Sequence, residues 1–454
     1  MKQRHSLLSL LILLLIAACT KDDVQKDQNS IPENPTTPTN NDRSIDFVKT
    51  FGGSGDEEAV AVIETADKGF IVLATTNSND GDLIAKLGTD NDYWLIKFDT
   101  QGSIQWSKTY GGSNDDVASS LNITNDGGYI ISGYSRSNDG DVSGNEGFQD
   151  YWVIKTDAVG NIQWNQNFGF AGNDQGFEAF QTKDGGYFIS GFIDVSASNG
   201  QGNDFARSTL HGVGEYWGIK LDANGNKIWR RYFGGSNNDR SYDAIETDDG
   251  GFIITGASES DDFDVTNSKG SYDFWAVHVD SAGDLIWTKN FGGSEIEVAY
   301  AAARLLNGNN IMVGDSRSSD KDLSSNYGNA DAWIVTFNDN GELISQNNYG
   351  GTEFDSANSV FATTDGNLVI TGNSRSVTQD LDKNNGQNDA WLFITDSSRN
   401  LIYSVTIGGS GIDFANDGLQ TTNNNLIMVG STESIDGDIT FNKGGKDILI
   451  TKIK

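Results

Sequence analysis

Carboxylates dominate the side chains that could do chemistry here: 64 Asp and Glu stand against 31 Lys and Arg, with three His and a single Cys. Two loops concentrate hard oxygen, Asp139-Gly140-Asp141 with Asp150, and Asp436-Gly437-Asp438 with Asp447. Calcium prefers such oxygens, so these six residues are its candidate ligands, although neither loop has the bidentate Glu of an EF-hand. Arg136, Arg317 and Arg375 stand at one equivalent position. They are candidate clamps for a carboxylate-bearing ligand, with ion pairs inside the fold as the competing reading. The stretch SASNGQGNDFARSTLHGVG (196 to 214) adds Phe205, Arg207 and His211, an aromatic, a cation and an imidazole suited to touching a sugar or a protein. A tolerated surface insertion would look the same.

Catalytic readings find less support. A Ser-His-Asp arrangement would have to use His211 or His278, and His278 sits where other copies of its segment carry Lys97 or Lys155. Zinc needs several nitrogen or sulfur ligands, which this composition does not supply. A glycosidase needs only two carboxylates, so that class stays open. No catalytic residue is assigned.

These residues hang on a repeat. The glycine that opens a Gly-Gly or Gly-Phe pair recurs at Gly52, Gly111, Gly169, Gly234, Gly292, Gly350 and Gly408, at spacings of 59, 58, 65, 58, 58 and 58. In the second unit, DVASSLNIT (116 to 124), YIISGYS (129 to 135), DYWVIKTD (150 to 157) and NIQWNQNF (161 to 168) read as four strands. Turns such as Asp157 to Gly160 separate them, with Asp first and Gly fourth as a type I turn prefers. The third strand is apolar at four successive positions, so both its faces must be covered. Covered four-stranded sheets repeated around a ring are the blades of a β-propeller. Trp94, Trp152, Trp217, Trp275, Trp333 and Trp391 hold one position of that strand and read as core.

The last unit ends at DILITKIK (447 to 454) without a fourth strand, while SIDFVKTF (44 to 51) is a fourth strand with no unit before it. Pairing the two closes the ring and removes an exposed edge. The expectation is an all-β fold, a seven-bladed propeller over residues 44 to 454. FGGSGDEEAVAVIETADKGFIVLA (51 to 74) and YGGSNDDVASSLNITNDGGYIISG (110 to 133) resemble the bacterial seven-bladed β-propeller repeat family. That resemblance covers most of the chain and implies the fold and a scaffold role, not an activity. Quinoprotein dehydrogenase propellers have a similar turn, but D-A-V-G-N-I-Q-W is one residue shorter, and Asp boxes of sialidase type do not occur.

The topology puts all the long loops on one face, around the channel mouth, where binding is expected. Three rings of acids line that face. They run from Glu57 to Asp413, from Asp82 to Asp438 and from Asp92 to Asp447, and are read first as acceptors for loop N–H groups.

The N-terminus gives an address. Lys2 and Arg4 precede an apolar run, Leu7 to Ala18, too short to span a bilayer. Ile16-Ala17-Ala18-Cys19 resembles the lipobox of bacterial lipoproteins, which implies a signal peptide over 1–18 and lipidation of Cys19. Thr20-Lys21-Asp22-Asp23 is similar to the acidic signal of some surface lipoproteins. Residues 19 to 43 hold all three prolines and read as a disordered tether. Loss of the signal leaves 29 basic against 64 acidic residues, a formal charge of −35 that disfavours nucleic acid. The expectation is an outer-membrane lipoprotein exposed on the cell surface that binds a glycan or an envelope protein. The alternatives are a carboxylate-dependent carbohydrate-active enzyme and a structural subunit of an envelope complex. Nothing in the repeat specifies an oligomeric state.

Overall fold

The computed structural model describes residues 43–454, apart from 84, 85, 87 and 206–210. The signal segment, Cys19, nearly all of the tether and Arg207 lie outside the described residues.

Each unit forms a four-stranded antiparallel sheet, and there are seven of them. In blade two the strands are Asp116–Ile123, Tyr129–Ser135, Asp150–Thr156 and Ile162–Phe168, each within a residue of the segments expected from alternation and turn chemistry. The turn between the last two shows why it forms. Asp157 Oδ1 accepts the Val159 and Asn161 N–H groups at 3.0 and 2.8 Å, and Gly160 closes it at φ +78°. Only glycine adopts that angle without strain.

The third strand of every blade is buried along its whole length. Its six tryptophans have no exposed surface. They lock neighbouring blades together: Tyr93 packs on Trp152, Tyr151 on Trp217, Tyr216 on Trp275 and Phe274 on Trp333, with ring centroids 4.5 to 4.9 Å apart. Tyr93 and Tyr216 also donate to the backbone carbonyl of the tryptophan they cover, at 3.2 and 3.1 Å. Buried phenols need such an acceptor.

The ring closes through its first strand. Ile45–Phe51 pairs antiparallel with Asp447–Ile453, Val48 opposite Thr451, and is the outermost strand of the seventh sheet. Ser44 and Lys454 exchange two backbone hydrogen bonds at the end of the ladder, 3.0 and 2.9 Å. The protein is therefore a seven-bladed β-propeller closed by its N-terminal strand.

Candidate functional site

The innermost strand of every blade carries a β-bulge at one position. The pairing register skips between Ala59 and Ala61, Ala118 and Ser120, Gly176 and Glu178, and Ser241 and Asp243 in blades one to four. It skips between Ala299 and Ala301, Ala357 and Ser359, and Ala415 and Asp417 in the other three. A bulge re-aims the extra residue away from the ladder. Here those residues are Val60, Ser119, Phe177, Tyr242, Tyr300, Asn358 and Asn416, and all seven line a cavity of about 750 Å³ in the central channel. The residue before each bulge is small and the bulged residue varies in class, so the blades share a scaffold and differ in what they offer a ligand.

The cavity is uneven around the ring. Blades three to five contribute a run of rings, Phe177 to Tyr242 at 5.1 Å and Tyr242 to Tyr300 at 5.7 Å between centroids. Blades six and seven contribute amides, Asn358 and Asn416, whose NH₂ groups donate to Ala415 O and Ala59 O at 3.0 and 2.9 Å. One position after the bulge stand three carboxylates, Glu178, Asp243 and Asp417. Asp243 Oδ2 accepts the Ala302 N–H at 2.7 Å and Asp417 Oδ2 the Val62 N–H at 2.8 Å, so each holds the inner strand of the next blade. Glu178 Oε1 accepts from Asn122 Nδ2 at 2.6 Å.

Burial pushes all three upward. Asp243 goes to about 7 in spite of two backbone donors, and Asp417 also rises. Glu178 rises well above the usual range, by burial first and then by the charge of Asp243. Its side chain is half-buried and keeps some access to the channel. Among the described residues, the cavity lining has no His, Cys or Lys. It offers aromatic faces, amides and carboxyls, which suit a hydroxyl-rich ligand.

The lining uses the C-terminal halves of the inner strands, from the bulge to Glu64, Glu246, Arg304 and Gln420, and so lies toward the short-turn face. The residues singled out from sequence lie elsewhere, on the long-loop face. The six candidate calcium ligands each take a loop N–H. Asp139 accepts from Ser113 (2.8 Å), Asp141 from Gly111 (3.3 Å) and Asp150 from Glu146 (2.7 Å). Asp436 accepts from Ser410 (2.7 Å), Asp438 from Gly408 (3.4 Å) and Asp447 from Lys443 (3.0 Å). Among the described residues, no three Asp, Glu, His or Cys side chains group closely enough to hold a metal.

Arg136 is engaged by Asp115 at 3.2 Å and by Gln149, over the Phe148 ring. Arg317 and Arg375 make no ion pair among the described residues, and both are exposed. In the blade-three insertion, Phe205 is 48% exposed with the Arg231 guanidinium over its ring. His211 faces the other way: it is buried, 3.3 Å from Glu215 Oε2, and stacked on Phe263 of the next blade. Phe205 thus has the exposure a contact residue needs, and His211 does not.

The channel residues were missed because the bulge is invisible in the strand pattern. The available signal was one column of the repeat, where Val, Ser, Phe, Tyr, Tyr, Asn and Asn follow a residue that is always small, Ala, Gly or Ser.

No family model matches the chain. Among curated proteins it is 22% identical over 271 residues to the Regulatory protein FlaEY of Caulobacter vibrioides, a match covering 54% of this chain and 28% of that protein. The chain thus spans little more than a quarter of that relative's length. It is similar to a Dyadobacter fermentans protein of unknown function, TM-score 0.44 and 10% identity, with 91% and 99% of the two chains covered. It is also similar to the Pan2 WD40 domain of Neurospora crassa, TM-score 0.48 and 9% identity, with 87% and 89% covered.

Proposed function

We propose that this protein is a surface lipoprotein, lipidated at Cys19, whose propeller binds an extracellular glycan in its central channel. The observation that carries the binding reading is the cavity itself: seven bulges of one design present side chains of five kinds to one open cavity. Sugars are recognised by aromatic faces flanked by amides and carboxyls, and Phe177, Tyr242, Asn358, Asn416 and Glu178 provide both kinds of contact. The name of the curated relative is that of a regulatory protein, which accords with a binding role. Acidic rings engaged by loop N–H groups accord with a rigid scaffold.

The test uses the mature full-length chain on a broad glycan panel, with calcium and with a chelator. Tyr242→Ala and Phe177→Ala should each weaken binding about tenfold. Binding that ignores both changes removes the channel from the reading. Cys19→Ala should move the protein from the membrane to the soluble fraction.

A second reading, carbohydrate hydrolysis, draws on one observation: Glu178 is held toward its protonated form beside Asp243 and Asp417. A raised carboxyl beside other carboxyls matches the acid half of a carboxylate pair. Turnover of a bound glycan, lost in Glu178→Gln, would establish it; stoichiometric binding without turnover would leave the module alone.

A further inference from the structure

In a chain with so large an excess of acid, an arginine without a carboxylate partner is unexpected. Among the described residues, Arg136, Arg230, Arg231 and Arg304 are ion-paired. Arg43 and Arg399 donate to backbone carbonyls. The side chains of Arg240, Arg317 and Arg375 do neither, although Arg240 bonds the Tyr242 hydroxyl, and all three are exposed. Where Asp115 partners Arg136, Ile296 and Phe354 stand beside Arg317 and Arg375, and the acid that feels Arg317, Asp315, is buried and takes hydrogen bonds from Tyr300 and Ser356.

The three arginines follow one another around the ring. Arg317 and Arg375 come directly after the second strands of blades five and six (Asn310–Ser316 and Leu368–Ser374). Their N–H groups bond Ile296 O and Phe354 O, both at 3.0 Å, at the start of the inner strands. Arg240 is the second residue of blade four's inner strand and lies over the Phe192 ring. All three stand at the long-loop end of the channel, and the cavity extends from there toward the short-turn face.

A polar floor connects them. Arg240 lies against Tyr242, whose ring meets Tyr300. Tyr300 and Ser356 both lie against Asp315, two residues before Arg317. Ser356 donates to Asn358 at 3.2 Å, and Asn358 donates to Asn373 at 2.8 Å, two residues before Arg375.

We propose that this arc is a subsite for an anionic saccharide, one carrying uronate or sulfate groups; the assignment rests on the glycan-binding reading above. Guanidinium forks left open match carboxylate or sulfate oxygens in pairs. The hydroxyls, amides and rings between them suit the rest of a sugar. The net negative charge of the protein does not forbid this, because distant charges are screened beyond about 8 Å at physiological salt while the arginines act at contact.

The experiment compares binding of polygalacturonate, dextran sulfate and neutral dextran to the full chain and to Arg317→Gln/Arg375→Gln, with thermal unfolding to confirm that the variant folds. The wild type should prefer at least one anionic polymer over dextran by about tenfold or more, and the preference should shrink as salt is raised. The double variant should lose that preference while keeping its affinity for any neutral glycan. Equal binding of anionic and neutral polymers, or an unchanged double variant, overturns the inference and leaves the glycan reading standing. If no saccharide binds but polyglutamate does so through these arginines, the glycan reading falls with the saccharide assignment, and the arc is a docking surface for an acidic protein.

Discussion

Each junction between blades presses carboxylates against a glycine. A Cβ added at Gly111 would overlap Asp92 Oδ1 and lie 2.8 Å from Asp116 Oδ2; Gly292 and Gly408 meet the corresponding pairs, Asp273 with Glu297 and Asp389 with Asp413. Gly111 does not have a positive φ, so its need for glycine is steric. Gly111→Ala should therefore cost about 2 to 3 kcal/mol in urea unfolding. Gly144 is the contrasting case, with φ +84° and nothing within 4 Å of an added Cβ. Its change to Ala should cost only about 1 kcal/mol, the strain of a left-handed residue. Equal losses at the two sites would refute the crowding argument. The Gly-Gly signature that revealed the repeat is thus a packing requirement between acids.

The strand Ile45–Phe51 has the largest leverage of any single element. Without it, Asp447–Ile453 becomes a free edge and the seventh blade loses its outer strand. Unpaired edges recruit other chains. A chain beginning at residue 53 should accordingly form oligomers or aggregate, read by light scattering, and a peptide of residues 44–52 added in excess should return it to monomer. A monomeric truncated chain that unfolds at the parent temperature would show that closure does not matter. The need for this strand was legible from sequence, since a missing fourth strand at one end and a surplus one at the other have only one simple resolution. The bulges of the inner strands were not legible. A bulge changes pairing by one residue without altering the alternation enough to announce itself, and it depends on the partner strand as much as on its own.

The molecule as a whole should be more stable in mild acid than at neutral pH. Burial pushes Asp92 and Asp331 up to about 7, and Asp150, Asp273 and Asp389 up to about 6. Asp174 rises to about 8, again by burial. Unfolded aspartates titrate near 3.9, so these groups bind protons more tightly in the folded chain. Between about pH 7 and pH 4 the folded state holds more protons than the unfolded one, and lowering the pH through this window stabilises the fold. Below it the sign reverses. Asp67 and Asp184 are held down to about 2, the first chiefly by its hydrogen bond from Thr65 and the second by those from Thr182 and Gly186, which outweigh its burial. Their stabilisation is lost as acid protonates them. The melting temperature should peak near pH 4, several degrees above its value at pH 7.5; a monotonic fall from pH 7.5 to 5 would show that those acids are ionised at no cost in the native state.

Blade number, strand limits and ring closure followed from the chain alone, because each rests on local periodicity and turn chemistry repeated seven times. The tryptophan core was equally plain, since a residue apolar in six copies and flanked by apolar neighbours has nowhere to go but between sheets. Folding decided the site. The cavity is made where seven residues from seven bulges, each about one repeat apart in sequence, converge on one axis. It also decided which charged residues are spent: Arg136 is neutralised by Asp115 while Arg317 and Arg375, at the same position in other blades, are left open. His211 turned inward to Glu215 for the same reason. Partner choice depends on which oppositely charged group lies within reach, and within each blade that reach is set by how the loops fold back on the strand ends.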